Sequence, residues 1–551
     1  MEKKNPTAKT FFIHLGMVLA AALLFAASFP NILIKNGIPL FAWFAYIPVL
    51  AVIRKNSLLA CAGWGAIYGY ASYALFNYWL GAFHPLAGTI VYLIYLVYML
   101  VVFLLLKLAD VLYPKKSYVV QWTIWLAYEY LRTTGFLGYS YGITGYSQWR
   151  VLPLIQIASI TGVWGVSALV TFPSFALAAA LKDWQWEEGL KAAGRSAAAF
   201  FGREKIPCLL WTGALCAALV FGLFSARDFS SSPKAQIALI QHNTDPWMAS
   251  KAPTSWQIME SYRRDTAVLK RLSDEALASQ PKPQMVVWPE TAFVPRIYWH
   301  TTYRDDQETW LLVKDLWEYL SGKDVPFLIG NDDGRKEPAK NPDPAEKYRV
   351  DYNAALYIEN GKISGVYRKL HLVPFTEHFP YKKQLPFIFN ALEKADTHFW
   401  EKGEEETVFS GPGFRFSSPI CFEDTFGYLS RNFVRRGADV LVNLSNDAWS
   451  NSLPAQNQHL SMAVFRAVEN NRSMVRSTAS GQTCAIDPCG RVIAMSPHFS
   501  ETWLSAAVPL EKKTALYTIY GDYLAYAFTF LALFLLIFAA VSCTIKKIRK
   551  G

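Results

Sequence analysis

Eight apolar stretches divide this 551-residue chain, and they constrain its fold more than any other feature. A bilayer core about 30 Å thick is crossed by about 20 helical residues, so most of these stretches are long enough to span a membrane. They are Phe11–Phe29, Ile38–Ile53, Leu58–Leu80, Gly88–Leu106, Tyr118–Leu131, Val151–Leu181, Cys208–Phe224 and Tyr523–Val541. Ile38–Ile53 and Tyr118–Leu131 are short and need flanking residues to reach this length. The sequence therefore predicts an integral membrane protein with eight spans.

The first apolar stretch has a second interpretation. Three lysines precede it and Ala26-Ala27-Ser28 ends it, as in a secretory signal peptide. Because further apolar stretches follow at once, an uncleaved membrane anchor is the simpler interpretation.

The net charge of +11 is distributed unevenly along the chain. Basic residues gather in alternate loops between the apolar stretches. They lie at the N-terminus, at Arg54-Lys55, at Lys115-Lys116, between residues 182 and 205, and after residue 545. This is the positive-inside pattern of membrane proteins. It predicts that both termini face the cytoplasm and that the long insert before the last span lies outside. It also argues against nucleic acid as a partner.

The spans and the insert predict four parts of the chain. These are a membrane domain of seven spans in residues 1–226, a catalytic insert in residues 234–514, an eighth span in residues 523–541, and a basic cytoplasmic tail in residues 542–551.

Strand-like and helical patterns alternate within the insert. Gln236–Gln241 has the pattern of a strand and Trp256–Ala278 that of a helix. Asn353–Glu359 and Lys362–Tyr367 are strand-like runs joined by Asn360-Gly361, which is a strong signal of a β-hairpin. This alternation predicts an α/β or α+β domain built on a layered sheet.

Three of the seven cysteines lie in the insert: Cys421, Cys484 and Cys489. Disulfides form outside the cytoplasm, and three thiols leave at least one unpaired. A Cys484–Cys489 bridge and three free thiols are both compatible with this count. An unpaired thiol in that compartment calls for an explanation, and chemistry at Cys421 is one.

Three residues far apart in the insert supply the parts needed for acyl chemistry. They are Glu290 in Val-Val-Trp-Pro-Glu, Lys369 in Tyr-Arg-Lys-Leu-His and Cys421 in Pro-Ile-Cys-Phe-Glu-Asp. A thiol with a pKa of about 8.5 needs a base to become nucleophilic, and a cation can stabilise an oxyanion. Considered singly, each residue has a simpler interpretation: Glu290 as an acid in a surface turn, Lys369 as a solvated lysine and Cys421 as a buried core cysteine. Together, beside membrane spans, they predict a thiol acyltransferase that acts on lipid.

These segments resemble the three signature segments of the nitrilase superfamily, and the membrane spans narrow the resemblance to the apolipoprotein N-acyltransferase family. Further matching stretches are Gly145-Tyr-Ser-Gln148, Ser445-Asn-Asp-Ala-Trp449, Gln458-His-Leu460 and Arg466-Ala-Val-Glu469. The resemblance implies a multi-span α-helical membrane domain. It also implies an extracytoplasmic α/β domain with the nitrilase α-β-β-α sandwich and with no metal or other cofactor.

The resemblance also implies roles for individual residues. Glu290 would be the general base, Lys369 the oxyanion stabiliser and Cys421 the nucleophile. Glu377 matches a second essential glutamate, and Glu423 matches the acid two residues after the nucleophile. A stretch that lines the site in this family is matched by Asn446, Asp447 and Trp449.

The implied reaction takes an acyl chain from a phospholipid onto Cys421 as a thioester, with ping-pong kinetics. The chain then passes to the α-amine of the diacylglyceryl-cysteine that begins an apolipoprotein. The implied setting is the bacterial cytoplasmic (inner) membrane, and we expect a monomer. An alternative is a membrane-tethered nitrilase-type amidase that hydrolyses a small amide with the same triad. Eight spans favour the lipid substrate.

Two positions depart from the family pattern. Phe422 stands where tyrosine is usual, so a hydroxyl is missing beside the nucleophile, and Ser450-Asn451 replaces Phe-Gly after Trp449. The aromatic segment Phe375–Trp400 has two interpretations, as core of the domain or as a lid at the bilayer surface.

Overall fold

The computed structural model of the chain describes residues 8–83, 85–182, 189–244, 254–338, 340, 348–394 and 399–548. The chain divides into two compact units. The helical unit contains residues 1–226, 452–461 and 520–551, and the α/β unit contains residues 227–451 and 462–519.

The helical unit consists of apolar helices and short turns. Its first eleven helices are α1 (Ala8–Ser28), α2 (Ile47–Lys55), α3 (Leu58–Phe76), α4 (Leu80–Phe83), α5 (Pro85–Leu112), α6 (Ser117–Leu131), α7 (Leu152–Ile155), α8 (Ala158–Thr161), α9 (Val163–Ala180), α10 (Gly189–Arg203) and α11 (Lys205–Ser225). Two 3₁₀ helices, Pro39–Trp43 and Thr144–Gln148, the C-terminal helix Tyr523–Ile548 and the first part of the helix Leu453–Asn470 also belong to this unit.

Five helices among the described residues are long and apolar enough to cross a membrane. They are Ala8–Ser28, Ala87–Leu112, Val163–Ala180, Lys205–Ser225 and Tyr523–Ser542. Each overlaps one of the eight predicted spans, and in the predicted span Val151–Leu181 the long helix begins only at Val163, after the short helices α7 and α8.

The other three predicted spans lie on shorter or less apolar elements. Helix α3 has 19 residues, but its mean hydropathy is lower than that of the five membrane-length helices. Helix α6, with 15 residues, is shorter than they are. Residues 38–53 form a 3₁₀ helix and the nine-residue α2, because Pro39 and Pro48 lack the amide hydrogen that a continuous helix needs. Spans beyond the five therefore stay a prediction.

The α/β unit contains twelve described strands. They are β1 (Lys234–Gln241), β2 (Met285–Val287), β3 (Phe327–Lys336), β4 (Arg349–Glu359), β5 (Lys362–Arg368), β6 (Phe409–Ser410), β7 (Arg415–Ser417), β8 (Val440–Ser445), β9 (Ser473–Thr478), β10 (Cys484–Ile486), β11 (Val492–Met495) and β12 (Thr502–Pro509). The helices between and after them are α12 (Ser255–Leu277), α13 (Ile297–Tyr303), α14 (Gln307–Ser321), α15 (Pro386–Lys394), α16 (Gly427–Arg435), α17 (Leu453–Asn470) and α18 (Leu516–Tyr520).

These strands form two six-stranded sheets. The first has the order β12-β1-β2-β3-β4-β5 and the second the order β11-β10-β9-β8-β7-β6. In each sheet three consecutive strands are parallel, β1 to β3 in the first and β7 to β9 in the second. The Ser477 hydroxyl of β9 donates to the carbonyls of Ile240 and Val287, at 2.9 and 3.1 Å, so the two sheets face each other.

Helices cover the outer face of the first sheet. Leu269 of α12 and Leu316 of α14 pack with Ile240, Val286 and Ile329 of the strands in one buried apolar cluster. Burial of such side chains contributes about 25 cal/mol for each Å² removed from water. The predicted layered α/β domain is confirmed.

Strands β4 and β5 form the predicted hairpin. Asn360 and Gly361 at its turn have φ values of +51° and +67°, as a two-residue type I′ turn requires. Because β5 ends at Arg368, the hairpin delivers Lys369 to the end of the first sheet.

Candidate active site

The three candidate catalytic residues each lie just beyond a strand or β-bridge. Glu290 follows β2 after Trp288-Pro289, Lys369 follows β5, and Cys421 follows Ile420, which makes a β-bridge with Leu444. The exposed fractions of Glu290, Lys369 and Cys421 are 6%, 0% and 9%. The simpler interpretations of Glu290 as a surface acid and of Lys369 as a solvated lysine are therefore wrong.

Lys369 is the centre of a buried ion-pair cluster. Its Nζ lies 3.2 Å from Glu290 Oε1 and 2.8 Å from Glu377 Oε1. Burial disfavours the charge on Lys369, but the two carboxylates together raise its pKa well above the usual value. The ammonium is therefore held charged and stays available as a hydrogen-bond donor.

Glu290 is fixed by donors from three elements. Its Oε1 accepts from Lys369 and from the Asn353 side-chain amide at 2.8 Å, and its Oε2 accepts from the Asn446 main-chain amide at 2.9 Å. A carboxylate with this many donors is held in one orientation.

Glu377 is bound on both carboxylate oxygens. Oε1 accepts from Lys369, and Oε2 accepts from the Val373 amide at 2.8 Å. Burial raises its pKa, and the Lys369 charge opposes this shift.

Cys421 has an unusual backbone conformation for a side chain with a Cβ. Its φ is +50°, in the left-handed region, where non-glycine residues cost of the order of 1–3 kcal/mol. Burial, and then the Glu290 charge, raise the pKa of the thiol well above its ordinary value, whereas Lys369 opposes the shift. The resting thiol is therefore protonated, and it needs a base to become nucleophilic.

The bridge between Cys484 and Cys489, which the sequence left open, is not formed. Both side chains are buried in the α/β unit.

Glu423 connects the nucleophile turn to the segment after β5. Its carboxylate accepts from the Ile420, Leu370 and His371 amides at 2.7, 2.6 and 2.9 Å, and from the Tyr367 hydroxyl at 2.8 Å. Burial raises its pKa to about 7, and the amide donors oppose this shift. Glu423 thus fixes the position of Lys369 relative to Cys421 through the backbone.

The stretch Asn446 to Trp449 lies next to Glu290. Asn446 supplies the amide to Glu290, and Asp447 opens a 3₁₀ helix in which Trp449 is half-buried. Asp447 is buried, and its charge contributes to the raised pKa of Cys421. The structure therefore brings Asn446 and Asp447 to the candidate site.

Phe422 packs among aromatic side chains. Its ring lies 5.0 Å from Phe426, edge to face, and 5.9 Å from His371, between centroids. His371 Nδ1 lies 3.0 Å from the Tyr428 hydroxyl. Phe422 is thus part of an aromatic cluster with Phe426 and His371.

Several residues of this site were not anticipated from the sequence. Asn353 binds Glu290, Asn443 donates to the carbonyl of Cys421 at 3.3 Å, and Arg476 pairs with Asp424 and Asp447. For Asn443 the sequence does contain a signal, because a polar residue interrupts the apolar run Val-Leu-Val-Asn-Leu-Ser, and a buried polar side chain needs a hydrogen-bond partner.

The arrangement supplies a fixed carboxylate, a buried ammonium and a protonated thiol. The carboxylate can accept the thiol proton, and the ammonium can stabilise an oxyanion. A thiol, a base and an oxyanion donor are the components of covalent acyl transfer.

Comparisons with known proteins agree with this geometry. The family model described as carbon-nitrogen hydrolase matches residues 236–517, and the model of the apolipoprotein N-acyltransferase N-terminal domain matches residues 21–176. The α/β unit is thus a carbon-nitrogen hydrolase domain, the class that the two-sheet fold and the acid–lysine–thiol cluster define.

Similar proteins match over nearly the whole chain. Apolipoprotein N-acyltransferase 1 of Treponema denticola is 43% identical over 98% of this chain and 99% of its own length. Apolipoprotein N-acyltransferase 1 of Treponema pallidum is 44% identical over 97% of both chains. Apolipoprotein N-acyltransferase of Geobacter metallireducens is 31% identical over 93% of this chain and 92% of its own.

The chain belongs to the apolipoprotein N-acyltransferase family. It is an enzyme of the nitrilase superfamily with apolar helices of membrane-spanning length. These relatives do not favour the amidase alternative.

Proposed function

We propose that this protein transfers an acyl chain from a phospholipid, through a thioester on Cys421, to the N-terminal amine of diacylglyceryl-cysteine in apolipoproteins. The observation that carries the proposal is the buried Glu290–Lys369 ion pair, whose charges act on the Cys421 thiol, in a chain related over nearly its full length to N-acyltransferases.

In the first half-reaction, Glu290 accepts the thiol proton of Cys421 as the sulfur attacks the ester carbonyl of the phospholipid. A carbon–sulfur bond forms, and Lys369 donates to the oxyanion of the tetrahedral intermediate. The carbon–oxygen bond to glycerol then breaks. The departing alkoxide takes the proton from Glu290 and leaves as a lysophospholipid.

In the second half-reaction, the neutral α-amine of the acceptor attacks the thioester carbonyl. A carbon–nitrogen bond forms, Glu290 accepts the amine proton, and Lys369 again stabilises the oxyanion. The carbon–sulfur bond breaks, and the Cys421 sulfur regains the proton from Glu290. The half-reactions are chemically alike, so one set of residues serves both.

The supporting residues follow from the same geometry. Glu377 would keep Lys369 charged, Glu423 would hold the nucleophile turn, and Asn446 would orient Glu290. Phe422, Asp447 and Trp449 would shape the space beside the thiol.

The proposed setting is the bacterial inner membrane, with the protein as a monomer. Residues 1–226 would form the membrane domain, 234–514 the extracytoplasmic catalytic domain, 523–541 the last span and 542–551 a cytoplasmic tail. The concentration of basic residues in alternate loops supports this orientation.

A reporter inserted after Lys340 tests the orientation. We expect alkaline phosphatase at this position to be active and green fluorescent protein to be dark when exported, because both termini are proposed to be cytoplasmic. The same reporters at the C-terminus should give the opposite pattern. A fluorescent and phosphatase-negative fusion after Lys340 would refute the proposed orientation.

Mass spectrometry of the intact protein tests the function. Incubation of the full chain with phospholipid is expected to add one acyl mass that hydroxylamine removes, because a thioester is labile to this nucleophile. Cys421→Ala should gain no such mass, and Cys216→Ala, which removes an exposed thiol of α11, should gain it as wild type does. An identical adduct on wild type and Cys421→Ala would refute the assignment of the nucleophile.

Subsequent addition of a diacylglyceryl peptide to the acylated wild type tests the acceptor, and the acyl chain should pass from the protein to the peptide amine.

A further inference from the structure

Arg476 lies in β9 and is completely buried. Its Nη1 pairs with Asp424, and its Nη2 lies 3.3 Å from Asp447 Oδ2. A buried guanidinium is costly unless carboxylates compensate its charge. Burial disfavours the charge on Arg476, but Asp424 and Asp447 together raise its pKa, so it is a permanent cation.

The two partners of Arg476 belong to the two segments that carry the reacting groups. Asp424 lies in the 3₁₀ helix that Cys421 opens. Asp447 directly follows Asn446, whose amide donates to Glu290. One guanidinium therefore joins the turn that holds the nucleophile to the turn that orients the base.

Neighbouring groups restrict where Asp447 can lie. Its Oδ1 accepts from the Ser445 hydroxyl at 2.9 Å. On the other side, a Cβ added to Gly481 would lie 2.7 Å from Asp447 Cβ, so the backbone there approaches as closely as glycine permits. The carboxylate is thus held between Ser445, Gly481 and Arg476.

We propose that Arg476 is a positioning residue that sets the placement of Glu290 relative to the Cys421 thiol, by clamping Asp424 and Asp447 together. The inference rests on the proposed function, since it assigns Glu290 and Cys421 to proton transfer. A displacement of about 1 Å between reacting groups can cost about 100-fold in rate, so a bridging guanidinium at this point affects the chemical step.

Arg472 offers a matched control for a purely structural role. It is also a buried arginine near the start of β9, but its donors go to main-chain carbonyls, those of Ala438, Asn471 and Lys513. Replacement of either arginine by lysine keeps one charge and removes the planar fork. Only Arg476→Lys should break a link between Glu290 and Cys421.

The experiment measures acyl-Cys421 formation and thermal unfolding of the full-length protein in detergent with added phospholipid. We expect Arg476→Lys to lower the maximal rate of acylation by about 100-fold, with the phospholipid KM changed by less than about threefold. Arg472→Lys should lower the Tm comparably and acylate at a rate within about threefold of wild type. Adding Asp447→Asn to Arg476→Lys should cost little more, because both changes break the same link.

Equal acylation rates in wild type and Arg476→Lys would overturn the inference, and so would equal losses of rate in Arg476→Lys and Arg472→Lys. If Arg476→Lys does not fold, Asp447→Asn alone tests the same link and should show the loss of maximal rate. In each of these cases wild type still forms the adduct. A wild type that forms none refutes the proposed function itself, and the inference with it.

Discussion

Replacing Lys369 with methionine is expected to slow acyl transfer severely and to destabilise the α/β unit at the same time. The variant loses the donor to the oxyanion, which is worth about 100- to 1,000-fold in rate. It also leaves Glu290 and Glu377 buried without their cation, which typically costs about 3–5 kcal/mol of the free energy of unfolding. Acylation kinetics and thermal unfolding of the same preparation measure both losses.

A second substitution separates these two losses. Lys369→Met combined with Glu377→Gln removes one of the two carboxylates left without a cation, so much of the lost stability should return while acylation stays at least about 100-fold slower than in wild type. Lys362→Met, at the exposed start of the same strand, is the control and should match wild type in both measurements. Acylation near the wild-type rate in the double variant would exclude Lys369 from the chemical step.

Replacing Glu290 with glutamine is expected to slow acylation of Cys421 by about 100- to 10,000-fold, the range that a general base contributes. The amide oxygen can still accept from Lys369 and Asn353, and Glu377 still pairs with Lys369, so the fold should persist although the hydrogen bond from the Asn446 amide is lost. The remaining rate should rise with pH, because the solvent must then remove a proton from a thiol whose pKa is raised.

Single-turnover mass spectrometry between pH 6 and 9 measures this prediction. Glu405→Gln, at an exposed position of the same unit, should behave as wild type at every pH. A Glu290→Gln protein that acylates as fast as wild type would mean that another group removes the thiol proton.

The elements that carry the site could be predicted because their signals are local. Asn360-Gly361 fixes the hairpin that ends next to Lys369, and Met285–Val287 was found as a strand because a buried β-branched run is stopped by Trp288-Pro289. Glu290, Lys369 and Cys421 could be predicted because the three segments that carry them together resemble the signature segments of the nitrilase superfamily. Their mutual contact needed the structure, since 79 residues separate the ion pair.

The supporting contacts could not be predicted because they join distant segments. Arg476 is a charged residue in a short strand, which favours an exposed position, yet it is fully buried like every other residue of β9. Glu423 accepts hydrogen bonds from backbone amides on two separate segments. Its position two residues after Cys421 in the sequence does not indicate this role. Such roles depend on tertiary packing, which composition and periodicity do not encode.

The left-handed backbone at Cys421 has a consequence for how this protein changes over evolutionary time. Glycine would relieve the strain of a φ of +50° by about 1 kcal/mol or more, so the nucleophile occupies a place where the fold itself prefers another residue. A descendant freed from the need for acyl transfer would gain stability by losing its cysteine. Replacement of Cys421 by glycine would therefore be favoured by the stability of the fold and opposed only by selection for the reaction.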